Sequence, residues 1–179
     1  MEKMNIAIDQ TRLEKQAIFE VSLKLLREGR FHATPMTEIA YLSKISGALM
    51  DHVFQTREEL LLELSNTLLR RIEVEVIDAC KRGAGFRECL LNVWSALYVF
   101  YTRHPDAISF IEQFDHVNNK RFVPQVPHPG KLETLVALFK DQEEDLLADT
   151  TAETFAWLLH ENALGAAKMN IVNKQYPIS

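Results

Sequence analysis

Along the first third of the chain, apolar residues recur at steps of three and four. Leu13, Ala17, Ile18, Val21 and Leu25 follow this spacing, which lines one face of a helix. Thr11-Arg12-Leu13-Glu14 stands ahead of them in the form of a capping box, and Gly29 fits a left-handed terminus. Thr34-Pro35 predicts an N-cap with proline in the first turn, opening a short helix through Ile39, Ala40 and Leu42. Ser46 predicts the cap of a second short helix through Leu49 and Val53. Thr56-Arg57-Glu58-Glu59 is another capping box, from which a long helix is expected to run to about Lys81.

Gly83 and Gly85 break that helix, and a mostly apolar one is expected over Phe86 to Arg103. His104-Pro105 ends it and begins another through Phe110 and Phe114. Residues 118–130, with Pro124, Pro127, Pro129 and Gly130, read as a loop. Two more helices are expected, over Lys131 to Leu147 and over Thr151 to about Val172, the second opened by Thr150 with Glu153 three residues on. Strand-like alternation of any length is absent, so the fold class is all-α. An N-terminal three-helix helix-turn-helix domain over residues 1–56 is followed by a helical domain over 57–179.

Composition narrows the picture. The 179 residues are 47% hydrophobic, with only six Gly and six Pro, which favours compact helical units over a turn-rich β fold. The N-terminal residues lack the apolar core of a signal peptide, and the most apolar run, Leu90 to Tyr101, is too short to span a bilayer. These features predict a cytoplasmic protein without membrane contact, in which Cys80 and Cys89 stay reduced. As a pair flanking a helix corner they suggest redox sensing; as single residues they suit a core.

The net charge is −5, which excludes a non-specific nucleic-acid coat. The six histidines are scattered without metal-ligand spacing, and neither a phosphate-cradling glycine loop nor a nucleophile elbow occurs. No catalytic residue, metal or cofactor is expected. Glu143, Glu144 and Asp145 read as a solvated acidic face.

Residues 34–61, TPMTEIAYLSKISGALMDHVFQTREELL, carry a more specific pattern. Thr34, Ile39, Ala40, Ile45, Ser46, Phe54, Arg57, Glu58, Glu59 and Leu60 fall without a gap on a motif that resembles the DNA-binding segment of the tetracycline-repressor (TetR) family. The likeness covers residues 11–62. Ile39, Ala40, Ile45, Leu49 and Phe54 are expected to form the small core that clamps the two short helices. The resemblance implies a ligand-responsive regulator, in the repressor sense, that binds double-stranded operator DNA as a homodimer. It places DNA contacts at Thr34, Lys44, Ser46, Gly47, Ala48, Asp51, His52 and Arg57. Arg57, a cation at a helix start where the dipole disfavours it, suggests a phosphate contact.

This sequence departs from the motif at several positions. Lys44 stands where the family has glycine, at a cost of roughly 1 kcal/mol if the turn needs positive φ. Asp51 would repel phosphate, although a carboxylate can accept from cytosine N4. The family's backbone-contacting tyrosine is absent, and the first 63 residues carry eight Lys and Arg against ten Asp and Glu. The alternative reading is therefore a TetR-like protein that binds a ligand or partner and has lost DNA recognition.

In the second domain the resemblance implies a pocket for a small apolar or aromatic effector. Trp94, Tyr98, Tyr101, Phe110, Gln113 and Phe114 are its expected lining, with Asn92 and His116 as further polar candidates. The small residues of Ala156 to Leu159 and Ala163 to Ala167, together with Leu135, Leu138 and Phe139 on the helix before, predict dimerisation through the last two helices.

Overall fold

The computed structural model describes residues 2–82, 85–118, 133–140 and 151–175, with side chains over 11–82, 85–112, 133–140 and 151–174. Eight helices, and no strands, are found among the described residues. They are α1 (Glu2–Arg27), α2 (Met36–Leu42), α3 (Gly47–Val53), α4 (Arg57–Lys81), α5 (Phe86–Arg103), α6 (Pro105–Asn118), α7 (Glu133–Lys140) and α8 (Ala152–Gln175). The expected loop from 119 to 130, the helical continuation from 141 to 147, and Thr150 lie outside the described residues. None of the described helices is long and apolar enough to cross a membrane.

Helix α1 begins well before the expected Thr11. Its buried face is Ile18, Phe19, Ser22, Leu25 and Leu26, whereas Leu13 is 67% exposed. Ser22 lies in this apolar face without penalty because its hydroxyl donates to the carbonyl of Ile18 at 2.7 Å. The helix ends as expected on Gly29, at φ 69°. The Gly29 amide donates to the carbonyl of Leu26, and the Arg30 amide to that of Leu25, a Schellman closure.

Thr34 does not cap α2. The N-cap is Pro35, with no side-chain bond; the Thr34 hydroxyl donates backwards to the carbonyl of Arg30 at 2.9 Å, and the residue is buried. Thr56 and Glu59, by contrast, form the full capping box that the sequence predicts, and α4 runs from there to Lys81. Helix α8 is opened by Thr151 rather than Thr150: its hydroxyl oxygen accepts from the Thr154 amide at 3.2 Å. Glu153 instead pairs with Lys140 at 2.9 Å, which joins the end of α7 to the start of α8.

Helix α4 contributes along its whole length to the core cluster of the described residues. Leu60, Leu64 and Leu68 lie buried along its first half, and Ile72, Val76 and Ala79 along its second. There α5 packs against it, with α8 on the other side of α5. Leu135 and Phe139 of α7 are fully buried inside the protomer, and the Phe139 ring meets Phe86 and Phe155 edge-on at 6.0 and 5.1 Å. Their expected place in a dimer contact is therefore corrected, because they fill the gap between α4, α5 and α8. Helix α6 packs on α1, where Arg27 meets Asp106 at 2.7 Å.

The cysteines are not reduced. Cys80, at the end of α4, and Cys89, in the first turn of α5, form a disulfide with Cα atoms 4.3 Å apart. The helix corner near Gly85 brings the two antiparallel helices within bonding reach. Closing so short a loop constrains the unfolded chain by roughly 2–3 kcal/mol. Chemical denaturation with and without dithiothreitol should show a loss of that order on reduction, with no change for a Cys80→Ser/Cys89→Ser variant. Equal midpoints for oxidised and reduced protein would contradict it.

Candidate functional site

The candidate nucleic-acid interface is built on the turn between α2 and α3. Ile39, Ala40, Met50 and Phe54 are buried there, with Ile45 packed against them. Met50 takes the fully buried position expected for Leu49, which is only half-buried. The two residues are neighbours on a seven-residue helix, and periodicity alone does not choose between them.

Helix α2 closes through Lys44, the one described non-glycine residue with positive φ, at 59°. The Lys44 amide donates to the carbonyl of Tyr41 and the Ile45 amide to that of Ala40, both at 3.0 Å, the second Schellman closure of the chain. The turn thus has the left-handed geometry that glycine accommodates at no cost and lysine at roughly 1 kcal/mol. Ser46 caps α3 as expected, its hydroxyl oxygen accepting from the Leu49 amide at 3.1 Å.

The outward surface of α3 consists of Gly47, Ala48, Asp51 and His52, all exposed, and Lys44 lies exposed beside them. Tyr41 on α2 is 79% exposed, and its carbonyl accepts from the Lys44 amide. The sequence reading passed over it, although the burial of Ile39 and Ala40 on a short helix leaves position 41 facing outward.

Two expected contact residues are turned away from this surface. Arg57 donates to the carbonyl oxygens of Phe31 and Thr34, the second at 2.7 Å. Its guanidinium also lies over the Phe31 ring, 5.3 Å from the centroid. The open carbonyls of the α1–α2 turn thus give the cation at this helix start partners within the chain. Thr34 is the buried residue whose carbonyl Arg57 holds. Burial, and then the Arg57 charge, push the neighbouring His32 below its ordinary pKa.

In the second half of the chain the aromatic residues separate into two groups. Trp94 and Tyr98 are half-buried and stacked, with centroids 5.4 Å apart and planes within 6°. Trp94 Nε1 donates to Asn162 Oδ1 at 2.9 Å, and Asn170 donates to the Tyr98 hydroxyl, so both rings are tied to α8. Tyr101 and Phe110 are fully buried. The side chains of Gln113, Phe114 and His116 lie outside the described residues.

Tyr101 meets His160 Nε2 at 2.6 Å, and Nδ1 of the same ring lies 3.2 Å from Glu161 Oε1. Burial, and then the Glu161 carboxylate, push the Tyr101 phenol well above its ordinary range. Each ring nitrogen of the fully buried His160 thus has a polar partner, the Tyr101 hydroxyl at Nε2 and the Glu161 carboxylate at Nδ1.

A cleft of about 720 Å³ opens between α1, α4 and the end of α5. A smaller one of about 310 Å³, reached by Asn92, adjoins it along α4 and α5. Trp94, Tyr98, Tyr101 and Phe110 line neither.

Comparison with solved structures bears on the arrangement of a helix-turn-helix on a shared long helix. The chain superposes on a TetR family transcription regulator from Marinobacter aquaeolei VT8 with a TM-score of 0.76 at 17% identity, covering 96% of this chain and 90% of that one. It has the TetR-family fold. A putative TetR family transcription regulator from Shewanella sp. PV-4 gives a TM-score of 0.71 at 19% identity, with 90% and 87% covered. AibR, solved in complex with isovaleryl coenzyme A and operator DNA, gives 0.64 at 19% identity, with 87% and 86% covered. Neither a family sequence model nor a curated protein sequence matches the chain. In this TetR-family fold the segment that resembles the family motif is the one that forms α2, α3 and the start of α4.

Two substitutions should separate turn strain from the Arg57 clamp. Lys44→Gly should raise stability by about 1 kcal/mol by relieving the left-handed lysine. Arg57→Ala should lower it by about 2 kcal/mol, since two charge-assisted bonds to half-buried carbonyls are lost. Urea denaturation followed by circular dichroism reads both; a destabilised Lys44→Gly or an undiminished Arg57→Ala would overturn these assignments.

Proposed function

We propose that the chain is a ligand-responsive transcriptional regulator of the TetR family, acting as a repressor in the cytoplasm and binding operator DNA as a homodimer. Residues 1–56 form the DNA-binding unit and 57–179 the effector-binding and dimerising unit. The observation that carries this reading is the exposed surface of α3, held by the Lys44 turn and the Ser46 cap. DNA contacts are assigned to Lys44, Ser46, Gly47, Ala48, Asp51 and His52, with Tyr41 added as a backbone contact. Arg57 and Thr34 act as positioning residues that fix α4 against the α1–α2 turn. AibR, with its acyl-coenzyme A and operator, supports a small-molecule effector. The effector is assigned, on the family resemblance, to Trp94, Tyr98, Tyr101, Phe110, Gln113 and Phe114.

For the dimer, support comes from α8. Leu158, Met169 and Val172 are 50%, 68% and 54% exposed and share one helical face with Gly165, beside which a Cβ would meet open space. An apolar stripe of this kind is an expected contact between helices of two copies. The dimer face is thus assigned to α8, in place of the α7 residues that are buried.

A second reading, the same fold without DNA recognition, is favoured by one observation. With Arg57 engaged internally, Lys44 is the fully charged cation beside α3, and Asp51 opposes it. Phosphate neutralisation supplies most non-specific affinity, so binding under this reading would be weak and indifferent to sequence.

Fluorescence anisotropy with labelled DNA from upstream of the protein's own gene, at two salt concentrations, distinguishes the two. The regulator reading expects salt-sensitive binding that exceeds binding to scrambled DNA, and a uniform loss across sequences for Lys44→Ala. Weak binding indifferent to sequence would overturn it. A Leu158→Glu/Met169→Glu variant should sediment as a monomer with its helical content retained; an unchanged mass would remove α8 as the dimer face.

A further inference from the structure

The cleft between α1, α4 and α5 differs in character from the aromatic region. Arg12 and Lys15 reach it from α1, and Arg70 and Arg71 from α4. Against these four cations stand the carboxylates of Glu63 and Glu75, with His104 at the edge. Glu63 is shared by two cations at long range, Lys15 at 3.6 Å and Arg70 at 3.9 Å. Such half-exposed pairs neutralise little, roughly 0–1 kcal/mol each. In a chain of net charge −5, this is a local excess of positive charge inside a concavity, where a field is focused rather than dissipated.

The rest of the lining is apolar. Phe19 and Phe100, both buried, form the floor, and Val74 is 59% exposed within the cleft. The volume, about 720 Å³, is in the usual range of small-molecule sites, roughly 300–1,000 Å³. The adjoining cavity shares Glu75, Phe100 and His104 and adds Arg82 and Arg103, so the excess of cations continues along α4 and α5.

We infer that this cleft binds an amphipathic organic anion, its carboxylate or phosphate-ester head on Arg12, Arg70 and Arg71 and its alkyl portion over Phe19, Val74 and Phe100. A planar guanidinium fork matches both head groups, and neither a purely ionic nor a purely apolar ligand would satisfy the whole lining. The site is separate from the effector region around Trp94 and Tyr98, and its occupancy does not depend on DNA recognition.

Isothermal titration of the full-length protein with n-octyl phosphate, octanoate, octanol and inorganic phosphate tests the inference without DNA. At least one of the two amphipathic anions should bind at least tenfold more tightly than octanol and inorganic phosphate. Arg12→Gln/Arg71→Gln, and separately Val74→Glu, should each weaken that binding at least tenfold while the circular dichroism spectrum is unchanged. Octanol or inorganic phosphate binding as tightly as the anions would overturn the inference. So would undiminished binding in either folded variant, or no binding of either anion.

Discussion

Arg57 holds the carbonyls of Phe31 and Thr34 in the same turn where Thr56 and Glu59 close their reciprocal cap. Those bonds fix the start of α4 to the end of α1, and the packing of the helix-turn-helix rests on them. Without the clamp, two half-buried carbonyls would lose their charged donor, and the cation would sit uncompensated at the positive end of a helix. Beyond this point α4 supplies Leu60, Leu64, Leu68, Ile72, Val76 and Ala79 to the core. Its far end is joined to α5 by the Cys80–Cys89 disulfide. A helix anchored at both ends thus carries one continuous core along its buried face.

Much of this was legible from local chemistry. The capping box at Thr56, the Ser46 cap, the Gly29 terminus and the span of α5 each depend on residues within one or two turns of one another, so the sequence contains all the partners. The left-handed turn at Lys44 was also readable, because the motif has glycine there. Arg57 was misread for the opposite reason. Its partners lie 26 and 23 residues away and are backbone atoms, which carry no side-chain signature. Thr34 failed with it, since its hydroxyl turns back to Arg30 instead of forward to a cap. The reduced state expected for the cysteines came from an argument about compartment, which says nothing of how closely a helix corner brings two thiols.

The aromatic region shows how far periodicity carries. Trp94, Tyr98 and Tyr101 share one face of α5, because a four-residue and a three-residue step together return nearly to the starting direction. Periodicity does not tell their burial apart: Tyr101 ends in the core against His160, while Trp94 and Tyr98 lie at its margin, bonded to Asn162 and Asn170. Each polar tip finds its partner on α8, so the polar groups of α8 that the sequence leaves unexplained are the ones that fix its rotation against α5. That rotation in turn directs Leu158, Met169 and Val172 outward. The dimer face proposed here is thus a consequence of how the aromatic residues of α5 are satisfied.

The same logic of shared elements applies at the opposite side of the molecule. Helix α1 packs on α6 and α4 on α5. Between α1 and α4 lies the cationic cleft. A molecule in that cleft would touch both helices at once. A ligand can shift an arrangement only by the difference in its affinity for the alternatives. Contact with both helices makes that difference sensitive to their separation.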